Sequence, residues 1–149
     1  MDEEELLRRY ITGERDFTKV RCIYGEINQA DLQEINLSRV SFDCCSFERC
    51  NFSNANLSHT DLSEQYLARV KFTHANLSGT SMEQSCLDWA DLTGANLTGA
   101  RFRFASLYCT NFTDADLSNA DLSATDLSKA IFYNTTMPDG SIRTDTPSN

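Results

Sequence analysis

The chain has 149 residues, 40% of them hydrophobic and 23% charged, with a formal net charge of −9 and an isoelectric point near 4.6. That length suits one domain, and the acidic balance excludes a passive affinity for nucleic acid or anionic membrane, both of which need basic patches. The start, MDEEELLRRY, has neither the basic region nor the apolar run of a secretory signal, and no stretch of about 18 apolar residues occurs, so a cytoplasmic protein without a membrane span is expected.

Residues 1–13 read as a capping helix. Asp2 is a good N-cap with Glu5 three residues on, acids fill the first turn, Arg8 and Arg9 lie near the end, and Gly13 can close it. Leu6, Leu7, Tyr10 and Ile11 form one apolar stripe that needs a surface to cover.

From Phe17 onward an apolar residue recurs every fifth position, without an insertion, to Met137. All twenty-five such positions are apolar: thirteen Leu, eight Phe, two Met, one Ile and one Cys. A helix is excluded, because at about 100° per residue successive positions would step round by about 140° and leave no apolar face. An uninterrupted strand would space apolar residues by two throughout, whereas here the spacing alternates between two and three. The period calls for a three-residue extended piece, a two-residue corner, and coils that stack to pair their backbone groups.

The units ADLTG, ANLTG, ADLSN, ADLSA, ANLSH and ANLSG match the consensus A(D/N)LXX, and the chain resembles the pentapeptide-repeat family over residues 17–137. The resemblance implies an all-β fold, a right-handed quadrilateral β-helix of about six coils preceded by the short capping α-helix. Four pentapeptides then make one coil, and six coils at about 4.8 Å give a rod about 29 Å long. The domain organisation expected is a capping helix at 1–13, the β-helix at 14–137 and a flexible tail at 138–149, where Pro138, Asp139 and Gly140 mark a turn and Ile142, still on the period, can fold back over the last coil. A twenty-residue coil places Phe52 with Phe72 and Phe112 with Phe132, and keeps Ala55, Ala75, Ala95 and Ala115 in a small-residue column beside the large one.

Several residues depart from the pattern. Cys22, Val20, Gly25 and Ile35 make the first coil atypical, as terminal repeats are. The six cysteines lack zinc-site spacing and are expected to be reduced, with Cys45 and Cys50 pointing inward. Gln65 places a long amide in a small inward slot, either bonded to the backbone of adjacent coils, turned out by a bulge, or lining a small polar pocket.

Three faces of the rod carry mainly Ser, Thr, Asn, Gly and scattered charges. The third carries Tyr66, Trp89 and Tyr108, with Phe104 at the corner leading into it and Arg49, Arg69, Trp89 and Lys129 in one corner column. Arg49, Tyr66, Arg69, Trp89, Phe104 and Tyr108 are the candidate protein-contact residues, since Tyr, Trp and Arg are enriched at interface hot spots. The alternative is that the rings lie flat on their neighbours, with Arg69 and Trp89 as a cation–π pair.

The function expected is a non-catalytic structural or protein-interaction module, with an unidentified protein partner or a second copy, and with no cofactor, metal, nucleic acid or membrane. His59 and His74 are corner residues in different columns, and Gly79, Gly94 and Gly99 are accounted for by turn geometry, so no catalytic dyad or phosphate loop is read. The resemblance also implies a second reading, a DNA mimic that binds a type II topoisomerase. Charge density weighs against it: residues 17–137 hold fourteen acids and nine bases, a net of −5. That is one charge per about 6 Å, where duplex DNA carries one per about 1.7 Å.

Overall fold

The computed structural model describes residues 1–145. Backbone pairing repeats every twenty residues, so that Asn36, Asn56, Asn76, Asn96 and Asp116 form one column of parallel bridges. Three further columns run through Asp61, Ser81 and Arg101, through Tyr66 and Cys86, and through Lys71, Asp91 and Asn111. Each rung is joined to the next in both directions: the Leu57 N–H donates to Asn76 O at 2.8 Å, and the Asn76 N–H donates to Ala55 O at 2.9 Å. The result is a β-helix, of the right-handed sense that parallel crossovers take. Three of the four columns continue into the last coil, to Asp121, Ile131 and Thr136, while the third ends at Ser106.

Most corners are closed by their own short-range bond, as where the Ala55 N–H donates to Phe52 O at 3.0 Å and the Ala95 N–H to Leu92 O at 3.0 Å. This puts the second corner residue in the left-handed region. Gly79, Gly94 and Gly99 adopt φ of +66° to +69°, but so do Arg69 at +58°, Trp89 at +62° and Phe104 at +58°. Left-handed backbone costs a side-chain-bearing residue about 1–2 kcal/mol, so the stacked corners impose the conformation and the residue type does not choose it. Where Asn or Asp stands ahead of the central Leu, its side chain supplies a turn acceptor. Asn56 Oδ1 takes the N–H of Ser58 at 3.1 Å, Asp91 Oδ1 that of Thr93 at 3.0 Å and Asp116 Oδ1 that of Ser118 at 2.9 Å. The hydroxyls of Thr93 and Ser118 donate to the same oxygens, which holds the Asp116 carboxyl below its ordinary pKa. The motif A(D/N)L(S/T) is therefore one small apolar side chain inside, one turn acceptor outside, one large apolar side chain inside and one turn donor.

The core is continuous from Leu6 to Phe132. Phe52 and Phe72 stack at 5.5 Å with planes 16° apart, and Phe112 and Phe132 stack at 5.5 Å and 7°. Inward slots that hold Thr instead of Ala satisfy the hydroxyl on a backbone carbonyl, within the same turn for Thr60 on Leu57 O and on the coil below for Thr80 on Leu57 O and Thr110 on Leu87 O, the latter two at 2.8 Å.

The N-terminal end is closed by α1 (Glu3–Ile11), whose N-cap Asp2 accepts the N–H of Glu5. Leu6 is fully buried and the Tyr10 hydroxyl donates to Gln33 O at 3.0 Å, which seats the helix on the first coil. Ile11, expected in the apolar stripe, is 81% exposed instead, because the helix ends there and turns away through Thr12 and Gly13. In the first two coils β1 (Cys22–Glu26) pairs in parallel with β2 (Ser41–Ser46), with a register shift between Tyr24 and Glu26. At the other end β3 (Phe132–Thr136) pairs antiparallel with β4 (Ile142–Asp145). Of the segment expected as a tail, residues 138–145 supply the turn and second strand of this hairpin, the turn being closed by the Gly140 N–H on Met137 O and the Ser141 N–H on Asp139 Oδ1. The remainder of that expectation, residues 146–149, lies outside the described residues.

All six cysteines are free. The Cys45 thiol donates to Ile23 O and the Cys50 thiol to Ile27 O, and burial pushes both up to about 11. Gln65 bonds within its own turn, its amide N–H donating to Ser63 O at 3.0 Å, and does not reach the adjacent coils. Its buried Oε1 has no partner among the described residues. An unsatisfied buried acceptor costs about 1–3 kcal/mol. Gln65→Thr, which recreates the Thr80 arrangement, is expected to raise stability by about 1 kcal/mol, or about 3 °C in melting temperature for a chain of this size. A lower melting temperature contradicts the assignment of Oε1 as unpaired.

Candidate functional site

The third face is built from three adjacent columns. Tyr66 is an outward rung residue, bridged to Ser46 below and Cys86 above. Trp89 and Arg69 are corner residues one coil apart, and Tyr108 stands beside the corner of the next coil. The Trp89 N–H donates to Tyr108 O at 2.8 Å, so the backbone ladder itself holds the two aromatic residues in neighbouring coils. Their rings meet edge to face, with centroids 5.7 Å apart and planes at 72°. The Arg69 guanidinium lies 5.7 Å from the indole on the opposite side of the stack.

Arg69, Trp89 and Tyr108 therefore form one group. Phe104 stands at the preceding corner with the Arg103 guanidinium 5.0 Å from its ring centroid. Arg49 pairs with its neighbour Glu48 at 3.7 Å and does not join an aromatic ring, while Tyr66 makes no ring contact among the described residues. The cation–π pair is present, yet the rings stay half in solvent: Tyr66 is 48% exposed, Trp89 53%, Phe104 59% and Tyr108 49%. An amphipathic ring held flat on a scaffold but open on one side offers contact area at little further ordering cost.

Two positioning residues were not singled out from the sequence. Asp88 accepts both the Ser106 hydroxyl and the Tyr108 N–H, the latter at 3.2 Å, and so ties the aromatic strip to the coil below. Asn28 does the same three coils earlier in chain order, on Ser46 and Glu48. Both occupy the corner position just after the central residue, and this repeat of a carbonyl-bearing side chain in one column was the available signal.

The remaining candidates are structural. Any Cβ on Gly79 would meet the His59 imidazole, and any on Gly94 the His74 ring, so each histidine packs on the glycine corner above it. Cys86 is half-buried, and burial raises its pKa. No cluster of His, Cys, Asp and Glu that could hold a metal is found among the described residues, and no described helix is long and apolar enough to cross a membrane.

A family model of pentapeptide repeats matches the chain in eight copies, over residues 26–55, 45–84, 85–123 and 105–139. Among solved structures the chain is similar to the pentapeptide repeat protein Rfr23 from the cyanobacterium Cyanothece 51142. The two are 30% identical over 67% of this chain and 82% of that one, with a TM-score of 0.65. HetL, involved in heterocyst differentiation regulation in the cyanobacterium Nostoc sp. strain PCC 7120, is 20% identical over 96% and 100% of the two chains at a TM-score of 0.39. QnrB1, a plasmid-mediated fluoroquinolone resistance protein, is 18% identical over 76% and 66% at 0.43. At those scores neither of the last two bears on function. No curated protein matches the chain by sequence.

Trp89 is the single tryptophan, so its fluorescence reports this site alone. The emission expected is that of a solvated indole, accessible to a neutral quencher, and Arg69→Ala is expected to change stability by no more than about 0.5 kcal/mol. A blue-shifted, quencher-protected emission contradicts the half-exposed stack.

Proposed function

Since the chain belongs to the pentapeptide repeat family, we propose that it is a non-catalytic interaction module, a four-sided rod of about six coils that contacts a protein partner through its third face. The observation that carries this reading is the group Arg69, Trp89 and Tyr108 with Phe104 and Tyr66 alongside, four aromatic residues held about half exposed on rigid rungs. Single exposed apolar residues are ordinary on a protein surface, but four half-exposed aromatic residues in three adjacent coils, two of them in edge-to-face contact and two beside arginines, have the composition of an interface centre. Arg49 and Tyr66 extend the strip toward the N-terminal coils.

Catalysis finds no support in the side chains. The Ser106 hydroxyl is committed to Asp88, the histidines are packed on glycine corners, and Cys45 and Cys50 are buried thiols with raised pKa. Topoisomerase mimicry gains nothing either, because the net charge of the rod stays far below that of DNA. A cytoplasmic location remains part of this proposal.

The test uses the protein and a variant in which Tyr66, Trp89, Phe104 and Tyr108 are replaced by Ser. Light scattering that finds a dimer for the parent and a monomer for the variant, at equal melting temperature, makes the partner a second copy. If both are monomers, the two serve as matched baits, and the variant is expected to lose a partner that the parent retains. Equal capture by both, at equal stability, contradicts the third face as a contact surface.

A further inference from the structure

We propose that the edge where the third face turns into the fourth, with Arg49, Arg69 and Lys71 beside Trp89 and Tyr108, receives an acidic segment of the partner protein, one that sets two carboxylates on the cations and a large apolar side chain on the open ring pair. This rests on the reading of the third face as a contact surface and adds what the partner must carry there.

The ladder assembles the cations. The Arg49 N–H donates to Ala68 O at 3.0 Å, the Arg69 N–H to Asp88 O at 2.9 Å and the Trp89 N–H to Tyr108 O at 2.8 Å, so Arg49, Arg69 and Trp89 occupy one corner column of three successive coils, about 4.8 Å apart. Lys71 follows Arg69 by two residues across the same corner, with the buried Val70 between them, and its rung is bridged to Asn51 below and Asp91 above. All three cationic residues are exposed. Arg101 and Arg143 hold the carboxylates of Glu83 and Asp145, and Arg49 stands 3.7 Å from Glu48, but among the described residues Arg69 and Lys71 have no ion pair and donate no side-chain hydrogen bond. The acids of the coil above are half-buried and engaged elsewhere. Asp88 accepts the Ser106 hydroxyl and the Tyr108 N–H, while Asp91 accepts the N–H of Thr93 at 3.0 Å, the hydroxyl of Thr93, and the hydroxyl of Thr73 at 3.3 Å.

A guanidinium whose N–H groups are unclaimed is a planar donor fork that matches a carboxylate in two parallel bonds, and the ammonium two residues on supplies a second positive point. The Arg69 guanidinium already lies 5.7 Å from the indole, so it is held before a partner arrives and little ordering remains to be done. The half-exposed rings of Trp89 and Tyr108 present an open apolar surface next to it. A segment that satisfies both carries two neighbouring acids and, two residues after the second, a large apolar side chain on the same side of its backbone, since an extended chain advances about 6.8 Å in two residues. Nucleic acid fits this edge less well. The chain carries a net charge of −9, and Glu48, Asp88 and Asp91 flank the three cations, so an unbroken row of phosphates meets an acid on either side where a pair of carboxylates does not.

The probe is a terminally blocked hexapeptide, acetyl-Ser-Asp-Asp-Ser-Phe-Ser-amide, titrated into the intact protein while the emission of Trp89, the single tryptophan, is followed. Beside it run the same peptide with Asn for both Asp and a short oligothymidylate. The acidic peptide is expected to change the emission saturably, to bind about tenfold or more tighter than its Asn form, and to weaken about fivefold or more between about 20 mM and about 300 mM salt. Lys71→Gln, which removes a side chain that contacts no ring, is expected to narrow that preference, and the double variant Arg69→Gln, Lys71→Gln to bring the two peptides within about twofold of each other, both at unchanged melting temperature. No saturable binding below about 1 mM, equal binding of the Asn peptide, a preference that the double variant keeps, or tighter binding of the oligothymidylate overturns the proposal. The double variant retains all four aromatic residues of the third face, so as a bait it separates the two readings. A partner that it captures as well as the parent does, and that the aromatic variant loses, overturns the acidic preference and leaves the contact face standing.

Discussion

Everything in this structure depends on the twenty-residue backbone ladder. A five-residue unit has no stable form alone: its three extended residues carry N–H and C=O groups directed along the rod axis, and its corner holds a residue in left-handed backbone whatever its side chain. Stacking repairs both at once, since each coil pairs the one before it and keeps the corners in line. The large apolar columns contribute the burial, but it is the ladder that fixes where they fall, so that Phe72 stands on Phe52 and Phe132 on Phe112. The ends need other devices for the same reason. At the N-terminus α1 covers the first coil with Leu6, and at the C-terminus β4 pairs antiparallel along β3.

Much of this was legible from the sequence, because an unbroken column of twenty-five apolar residues at one spacing has few physical realisations. The capping helix could be read from Asp2 and Glu5, and the inward thiols from the columns of Cys45 and Cys50. What periodicity could not supply was the behaviour of the ends. Ile11 falls on the helical stripe but lies past the last covered turn, and the segment after Met137 looks like a tail by composition although Ile142 keeps the period. Gln65 was visible as an exception, but periodicity does not say whether a long amide reaches the next coil or folds back on Ser63, as it does.

The candidate site was legible in part, for the same reason. Columns place Tyr66, Arg69, Trp89, Phe104 and Tyr108 on or beside one face, and a ladder bond brings Trp89 to Tyr108. They do not say that Arg49 turns to Glu48, or that Asp88 ties Tyr108 to the coil below. The opening above Ser106 left no mark at all, since Thr125, Asp126, Leu127 and Ser128 match the repeat as well as any unit. It occurs where the last coil has no described strand above it, because β4 spans only the arc of β3, and one arc of the final rung is left without a second neighbour to hold it in register.

The most direct measurement is amide hydrogen exchange resolved by residue. If the ladder organises the molecule and opens on one face of its last coil, Leu87 and Trp89 exchange slowly while Leu107 and Cys109, one coil later in the same columns, exchange about a hundredfold faster or more. Phe102 and Phe112, on either side, stay protected. Equal protection of Leu87 and Leu107 would contradict the account, since it would mean that the third column is closed to the end of the rod.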